Sequence, residues 1–135
     1  MRDNPVSYND PTGLDGNSTI QCDGNGDYEV VNKDKNECTA ACTKAHEQSH
    51  IADWKKRYGA DSCRNKPRGF RPGGGYGYLQ FLWQSECSAY GVQGTCLRKL
   101  LNDCKCKADA QAALPATDRN IYYYCNTVPV SPDGG

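Results

Sequence analysis

Little in this chain can build a large apolar core. One methionine, two phenylalanines and two tryptophans occur in 135 residues, and only 37% of the chain is hydrophobic. A domain so supplied must draw stability from something besides burial. Charge of one sign is missing as well: 16 basic residues balance 16 acidic ones, and the sequence pI is near 6.7. That balance removes any global electrostatic drive toward nucleic acid and argues against it as a partner. No long apolar run is present, neither a signal-peptide core behind Met1 nor a transmembrane segment. Met1 is therefore expected to be an added start and not a native N-terminus. The triplet Gly73-Gly74-Gly75 is followed by no Lys-Ser/Thr pair, which excludes a phosphate loop. Histidine occurs only twice.

Cysteine is what the chain has in excess. Cys22, Cys38, Cys42, Cys63, Cys87, Cys96, Cys104, Cys106 and Cys125 make nine, all of them disulfide candidates. They lack the paired Cys-x-x-Cys knuckles of a zinc ribbon. Cys104-Lys105-Cys106 is too short a loop for a relaxed mutual bridge, so each is expected to pair elsewhere. The odd count predicts three or four disulfides and at least one free thiol. Dense disulfides imply an oxidising compartment such as the bacterial periplasm or the exterior. Spacing does not disclose the connectivity.

The two histidines stand four apart, in His46-Glu47-Gln48-Ser49-His50. Their surroundings, from about Asn36 to Tyr58, contain no Pro or Gly and predict one helix, with Ala41, Ala45, Ile51, Trp54 and Tyr58 as its apolar side. On a helix, residues four apart share a face, so both imidazoles can converge on one metal ion while Glu47 points beside it toward a bound water. Zinc lowers the pKa of such a water to about 7, and an adjacent carboxylate can take its proton and pass it to a leaving amine. Cys42 lies one turn before His46. A turn rises about 5.4 Å, so three residues spaced in this way do not meet at one ion, and Cys42 is read as structural. Asp53, just beyond His50, is a candidate to orient a ligand imidazole.

A catalytic zinc takes a third protein ligand and keeps its fourth position open. The candidate is Glu86, in Trp83-Gln84-Ser85-Glu86-Cys87-Ser88-Ala89-Tyr90. A carboxylate followed by Ala and an aromatic residue resembles the third-ligand helix of the glutamate-type zincin metallopeptidases. That resemblance implies zinc (Zn2+) on His46, His50 and Glu86, with Glu47 as general base and then acid. Such enzymes commonly add a Tyr or His donor to the oxyanion. With no third histidine, Tyr90, Tyr122, Tyr123 and Tyr124 are the options.

A second resemblance lies at the N-terminal end. Pro5 followed by Asp10-Pro11-Thr12-Gly13-Leu14, with the lead-in Asn4-Pro5-Val6, resembles the PxxxxDPxGL motif that closes the repeat core of Rhs proteins. The likeness covers only residues 1–14. It implies a very large carrier whose hollow β-cage holds a variable C-terminal toxin, cut between Leu14 and Asp15, with Asp10, Leu14 and Asp15 marking the cleavage site. Residues 1–14 would then end the Rhs core, and residues 15–135 would be a toxin domain used in interbacterial competition. The implied partners are a cognate immunity protein, the Rhs cage with its secretion machinery (a type VI effector route) and a protein or peptide substrate. The implied destination is a target bacterial cell, and the cysteines place the action in its periplasm.

The remaining elements complete the expectation. Ser18 to Cys22 and Tyr28 to Val31 flank Asp23-Gly24-Asn25-Gly26-Asp27 and predict a β-hairpin turned by Asn25-Gly26. Asp23, Asn25 and Asp27 match half a calcium loop, but Tyr28 stands where glycine is needed and Asp34 where a glutamate closes the loop, so the hairpin is preferred. Residues 64–78 are rich in Gly, Pro and Arg. They read either as a mobile loop that helps form the cleft or, through Arg64, Lys66, Arg68 and Arg71 with Phe70 and Tyr76, as a nucleic-acid contact. A second helix is predicted from about Leu79 to Tyr90, with continuation to near Lys107 left open. Ala108 to Ala113 predicts a short helical piece before Pro115, Ile121 to Tyr124 a β-prone run, and the tail from Val128 a loose end. The fold class is α+β and mainly helical: a small disulfide-stapled, zincin-like domain with two active-site helices and a short N-terminal β-hairpin. The functional expectation is a zinc metallopeptidase toxin. The alternatives are a zinc amidase acting on the cell wall, a nuclease, and a non-catalytic binding module stabilised by zinc.

Overall fold

The hairpin forms by alternation. Ile20 and Cys22 turn inward while Thr19 and Gln21 are half-exposed, the period of two that a strand imposes. A computed structural model describes residues 18–129. In it β1 (Thr19–Cys22) pairs antiparallel with β2 (Tyr28–Val31), Ile20 opposite Val30 and Cys22 opposite Tyr28. The turn is wider than the two residues expected. The Asp23 amide donates to the Asp27 carbonyl at 2.8 Å, and Asp23 Oδ1 accepts the amides of Asn25 and Asp27 at 2.7 and 3.1 Å. A two-residue type I′ turn needs positive φ at both centres. Here it falls on Gly24 and Gly26, and not on Asn25.

Three helices follow: α1 (Ala40–Tyr58), α2 (Tyr78–Leu100) and α3 (Lys107–Asn126). The first starts later than Asn36 because side chains there take over its first amides. Asn36 Oδ1 accepts from Cys38 and Thr39, and Asp34 Oδ2 accepts the hydroxyls of Thr39 and Thr43. The second helix runs through Gly91 and Gly94 and stops at Leu100, short of Lys107. A Cβ on Gly94 would stand 3.1 Å from Ile121 Cδ1. The glycine costs about 1 kcal/mol of helix propensity and lets α3 lie close.

Two expectations for the C-terminal third are overturned. Pro115 does not end the helical piece, and Ile121 to Tyr124 is not a strand; both lie inside α3. An interior proline costs about 3 kcal/mol, so local preference alone would not hold this helix. Tertiary ties do. Cys106 at its start is bonded to Cys38, Cys125 at its end to Cys87, and Ala110, Ala113, Thr117 and Tyr124 are buried along its length. Packing overrules propensity here.

Four disulfides staple the small, mainly helical α+β unit. Cys22–Cys63 ties the hairpin to the segment after α1, Cys42–Cys96 joins α1 to α2, and Cys87–Cys125 joins α2 to α3. Cys38–Cys106 closes the widest loop. Cys104 is free and exposed, contrary to the expectation that it pairs. It sits in an outward turn, whereas Cys106 is buried facing Cys38.

The middle layer is α2, with α1 and α3 antiparallel on its two sides and the hairpin against α1. Apolar packing gathers in two places. One centres on Ile20, Tyr28, Trp54, Leu82, Tyr90 and Tyr124, the other on Leu97 and Ala113 beside Cys42. Among the described residues no helix is long and apolar enough to cross a membrane.

Candidate metal centre

The inner face of α1 is only in part the apolar one that its sequence suggested, Trp54 being buried with Ile51 and Tyr58 packed against the same core. Ala41 is exposed, and Ala45, Ile51 and Tyr58 are half-exposed. The buried residues are Cys42, Thr43, His46, Glu47, His50 and Trp54. Across from them α2 buries Ser85, Glu86 and Gln93. A domain with little apolar material has thus placed charged and polar groups at the centre of its α1–α2 contact. Such groups cost several kcal/mol unless each finds a partner, so their arrangement points to function.

Antiparallel packing brings the distant Glu86 onto the two histidines. His50 Nε2 lies 3.0 Å and His46 Nε2 3.5 Å from Glu86 Oε1, and the three ligand atoms lie within 4.8 Å of one another. Glu47 Oε2 lies 3.8 Å from His46 Nε2. Both rings are held from behind. His46 Nδ1 meets Gln93 Oε1 at 2.8 Å, and because an amide oxygen only accepts, the imidazole proton sits on Nδ1. His50 Nδ1 meets Ser85 Oγ at 2.8 Å, and Ser85 gives its own proton to Asp53 Oδ2 at 2.7 Å, which leaves its oxygen free to accept from the ring. Asp53 therefore reaches His50 only through Ser85.

These contacts suit the tautomer that metal binding needs, in which Nδ1 carries the proton and Nε2 faces Glu86. Two imidazole nitrogens and a carboxylate oxygen gathered in this way could hold a metal ion. Zinc bonds of roughly 2.1 Å in a tetrahedron place ligand atoms about 3.4 Å apart. Two of the three separations, 3.0 and 3.5 Å, lie near that spacing, and all three are within 4.8 Å. The His-His-Glu donor set accepts zinc and other first-row divalent ions.

Burial pushes the Glu86 carboxyl up, but the charges and hydrogen bonds of His50 and His46 outweigh it and bring it down to about 2. A depressed folded value stabilises the native state above the ordinary value of 4.5, and that contribution is lost as pH falls toward 2. Thermal melts of the metal-free protein should therefore lose stability across this window. Glu86→Gln should flatten the loss, and an unchanged pH profile in that variant would show that another group is responsible.

The cavity over the site is small, about 20 Å³, room for roughly one water molecule. Ser18, Thr19 and Ile20 at the start of β1, with Trp54, Arg71 and Leu82, complete its wall beside Glu47, His50 and Glu86. The tyrosine candidates divide. The Tyr90 ring stands edge-on to His46 at 4.5 Å, and Tyr124 stacks on Tyr90 at 5.8 Å. Tyr122, 72% exposed, and Tyr123, exposed beside Trp83, lie on the surface, and none of the four tyrosines lines the cavity.

The glycine-rich loop is tied down at several points. Trp54 Nε1 donates to Pro72 O at 2.7 Å, Tyr58 OH to Gly74 O at 2.8 Å and Arg57 Nη2 to Tyr76 O at 3.0 Å. Its cations are largely engaged as well. Arg68 pairs with Glu29, Arg64 with Asp61, and Lys66 lies over the Phe70 ring.

Sequence reasoning did not find Gln93 or Ser85, and it gave Arg71 to the loop alone. The available signal for Gln93 was its place two helical turns after Glu86, hence on the same face. Asp10, Leu14 and Asp15 lie outside the described residues. No family model, curated protein or solved structure matches the chain, so the functional reading rests on the geometry of this centre.

Proposed function

We propose that residues 15–135 are a zinc-dependent metallopeptidase toxin domain carried at the end of an Rhs protein. One observation carries the hydrolase half of this reading: His46, His50 and Glu86 meet in a buried group with Glu47 at their side. His46 and His50 would hold zinc through Nε2 and Glu86 through Oε1. Bound there, zinc supplies the Lewis acid that makes water reactive near neutral pH. The Glu47 carboxylate takes a proton from the attacking water, whose oxygen bonds to the scissile carbonyl carbon. As the C–N bond breaks, Glu47 gives that proton to the departing amine nitrogen. Gln93 and Ser85 keep the two rings in register, while Trp54, Leu82 and β1 limit bulk water.

The toxin half is supported by the PxxxxDPxGL likeness at residues 5–14. On this reading the segment released at Leu14–Asp15 acts in the periplasm of a target cell, where its four disulfides persist, and an immunity protein protects the producer. A cell-wall amidase is the second reading. The same residues would perform it, since an amide bond is broken in either case. The nuclease reading has less support, because Arg68 and Arg64 are paired with carboxylates.

Purified protein should contain about one zinc per chain. Elemental analysis decides this, and His46→Ala/His50→Ala should remove nearly all of the metal. Full zinc retention in that double variant would place the ion elsewhere and overturn the reading.

A further inference from the structure

The four bridges are not equally protected. Cys22 and Cys63 are wholly buried, Cys38 and Cys106 are 8% and 9% exposed, and a wholly buried Cys42 is bonded to a half-buried Cys96. Cys87–Cys125 differs from all of these. Among the described residues Cys125 is the one bridged cysteine that is exposed, and its partner Cys87 is half-buried. Both line a cavity of about 510 Å³ between α2 and the end of α3, together with Trp83, Gln84, Ser88 and Thr127. An incoming molecule can reach this bridge without unfolding its surroundings.

Exchange at a disulfide needs a path for the attacking thiolate to one sulfur and a solvated place for the thiolate it displaces. Cys87–Cys125 supplies both. Attack on the exposed Cys125 Sγ displaces a thiolate at Cys87, which lines the same cavity. Cys42–Cys96 supplies only the first, because Cys96 lines a separate surface hollow while Cys42 is wholly buried and its displaced thiolate would be left in the core. The other two bridges are buried at both ends and offer no path while the fold is intact.

The position of the bridge gives its opening a consequence. Cys87 directly follows Glu86, one of the three groups gathered at the metal centre. Cys125 directly follows the buried Tyr124, whose ring stacks on Tyr90, and Tyr90 stands edge-on to His46. The covalent tie between α2 and α3 thus lies one residue away from each of these contacts. An interior proline already weakens α3, so the end of that helix depends heavily on this tie.

We infer that Cys87–Cys125 is the redox-modification site of the domain: a dithiol reductant opens it ahead of the other three bridges, and the opening loosens the metal centre through Glu86 and the Tyr124–Tyr90–His46 contacts. In the first step one thiolate of the reductant bonds to Cys125 Sγ, the bond between the two cysteines breaks, and its electron pair leaves on Cys87 Sγ, which takes up a proton. In the second step the other sulfur of the reductant, as its thiolate, attacks the mixed disulfide and Cys125 leaves, taking up a proton in turn. The protein gains two electrons and two protons, and the dithiol becomes a disulfide. The redox assignment stands apart from the metallohydrolase reading, and only the effect on metal affinity rests on it.

The test begins with folded protein in a Cys104→Ser background, which removes the one free thiol. Dithiothreitol is added in limiting amount, samples are quenched with iodoacetamide over time, and the labelled cysteines are mapped by peptide mass spectrometry. Cys87 and Cys125 should be labelled first, roughly tenfold or more faster than any other pair, because buried bridges must wait for local opening. Earlier or equal labelling of another pair overturns the redox assignment. Protein alkylated at this pair alone should remain folded and should bind zinc, measured against a chromophoric chelator, roughly fivefold or more weakly than the oxidised protein. Cys87→Ala/Cys125→Ala removes the bridge without added bulk and should show the same loss. Unchanged zinc affinity in both forms overturns the coupling, and unfolding of both makes the bridge a plain staple and overturns it as well. If the oxidised protein itself binds no zinc, the metallohydrolase reading falls and the coupling with it, while the order of labelling still decides the redox site.

Discussion

Reduction of the disulfides should unfold the domain at room temperature. The bridges close loops with sequence separations of 41, 68, 54 and 38 residues. Restricting the unfolded chain over loops of that length is worth about 4 kcal/mol for each bridge. Ordinary domains are stable by about 5–15 kcal/mol in all, so four such contributions match or exceed the whole. The core offers little reserve, since only 37% of the chain is hydrophobic and the central contact of α1 with α2 is largely polar. Circular dichroism should show a cooperative melt for the oxidised protein and none after treatment with a reductant. A melting temperature lowered by only a few degrees would show that the core carries the fold alone. Cys104→Ser is the matched control. Its thiol is exposed and unbonded to another cysteine, so the change should stay within about 0.5 kcal/mol.

The parts of the fold that could be read in advance are those where local chemistry and tertiary environment agree. The first strand of the hairpin alternates in both sequence and burial, and the glycine-free run around His46 is helical in fact. The failures share one cause. Ile121 to Tyr124 has the β-branched and aromatic content of a strand, and Pro115 is a helix breaker, yet bridges at Cys106 and Cys125 and a close approach at Gly94 hold both in α3. Pairings between distant cysteines leave no trace in spacing, so the forces that override propensity were invisible.

The centre shows a related split. The His46/His50 spacing forecasts a shared face, and Glu86 stands where a return helix would bring it. What the sequence conceals is the support. Gln93 and Ser85 look like surface residues of an amphipathic helix until α2 is known to lie in the middle of three. The expected apolar side of α1 held at its C-terminal end, where Trp54 is buried with Ile51 and Tyr58 packed near it, and failed at Ala41 and Ala45, where the HExxH residues took the buried face. An apolar residue is read as a core residue only while no polar cluster competes for the contact.

On the proposed function, Glu47→Gln should abolish hydrolysis and toxicity while leaving the protein folded and able to hold its metal. Glu47 is 3% exposed, at the edge of the metal centre but not among the three ligands that converge there. Glutamine keeps its shape and its capacity to accept a hydrogen bond, so zinc content and melting temperature should change little. It cannot take a proton from water, and loss of a general base costs about 10²–10⁴ in rate. The segment from Asp15 to Gly135, expressed in a bacterial periplasm, should impair growth, and Glu47→Gln should remove the impairment. Cytosolic expression should be much less harmful, because reducing conditions would leave the chain without its bridges. If the Glu47→Gln protein remains toxic at equal abundance, the domain acts by binding and its metal is structural. If cytosolic and periplasmic expression are equally harmful, the fold does not depend on oxidation in the cell, and the target compartment must be sought elsewhere.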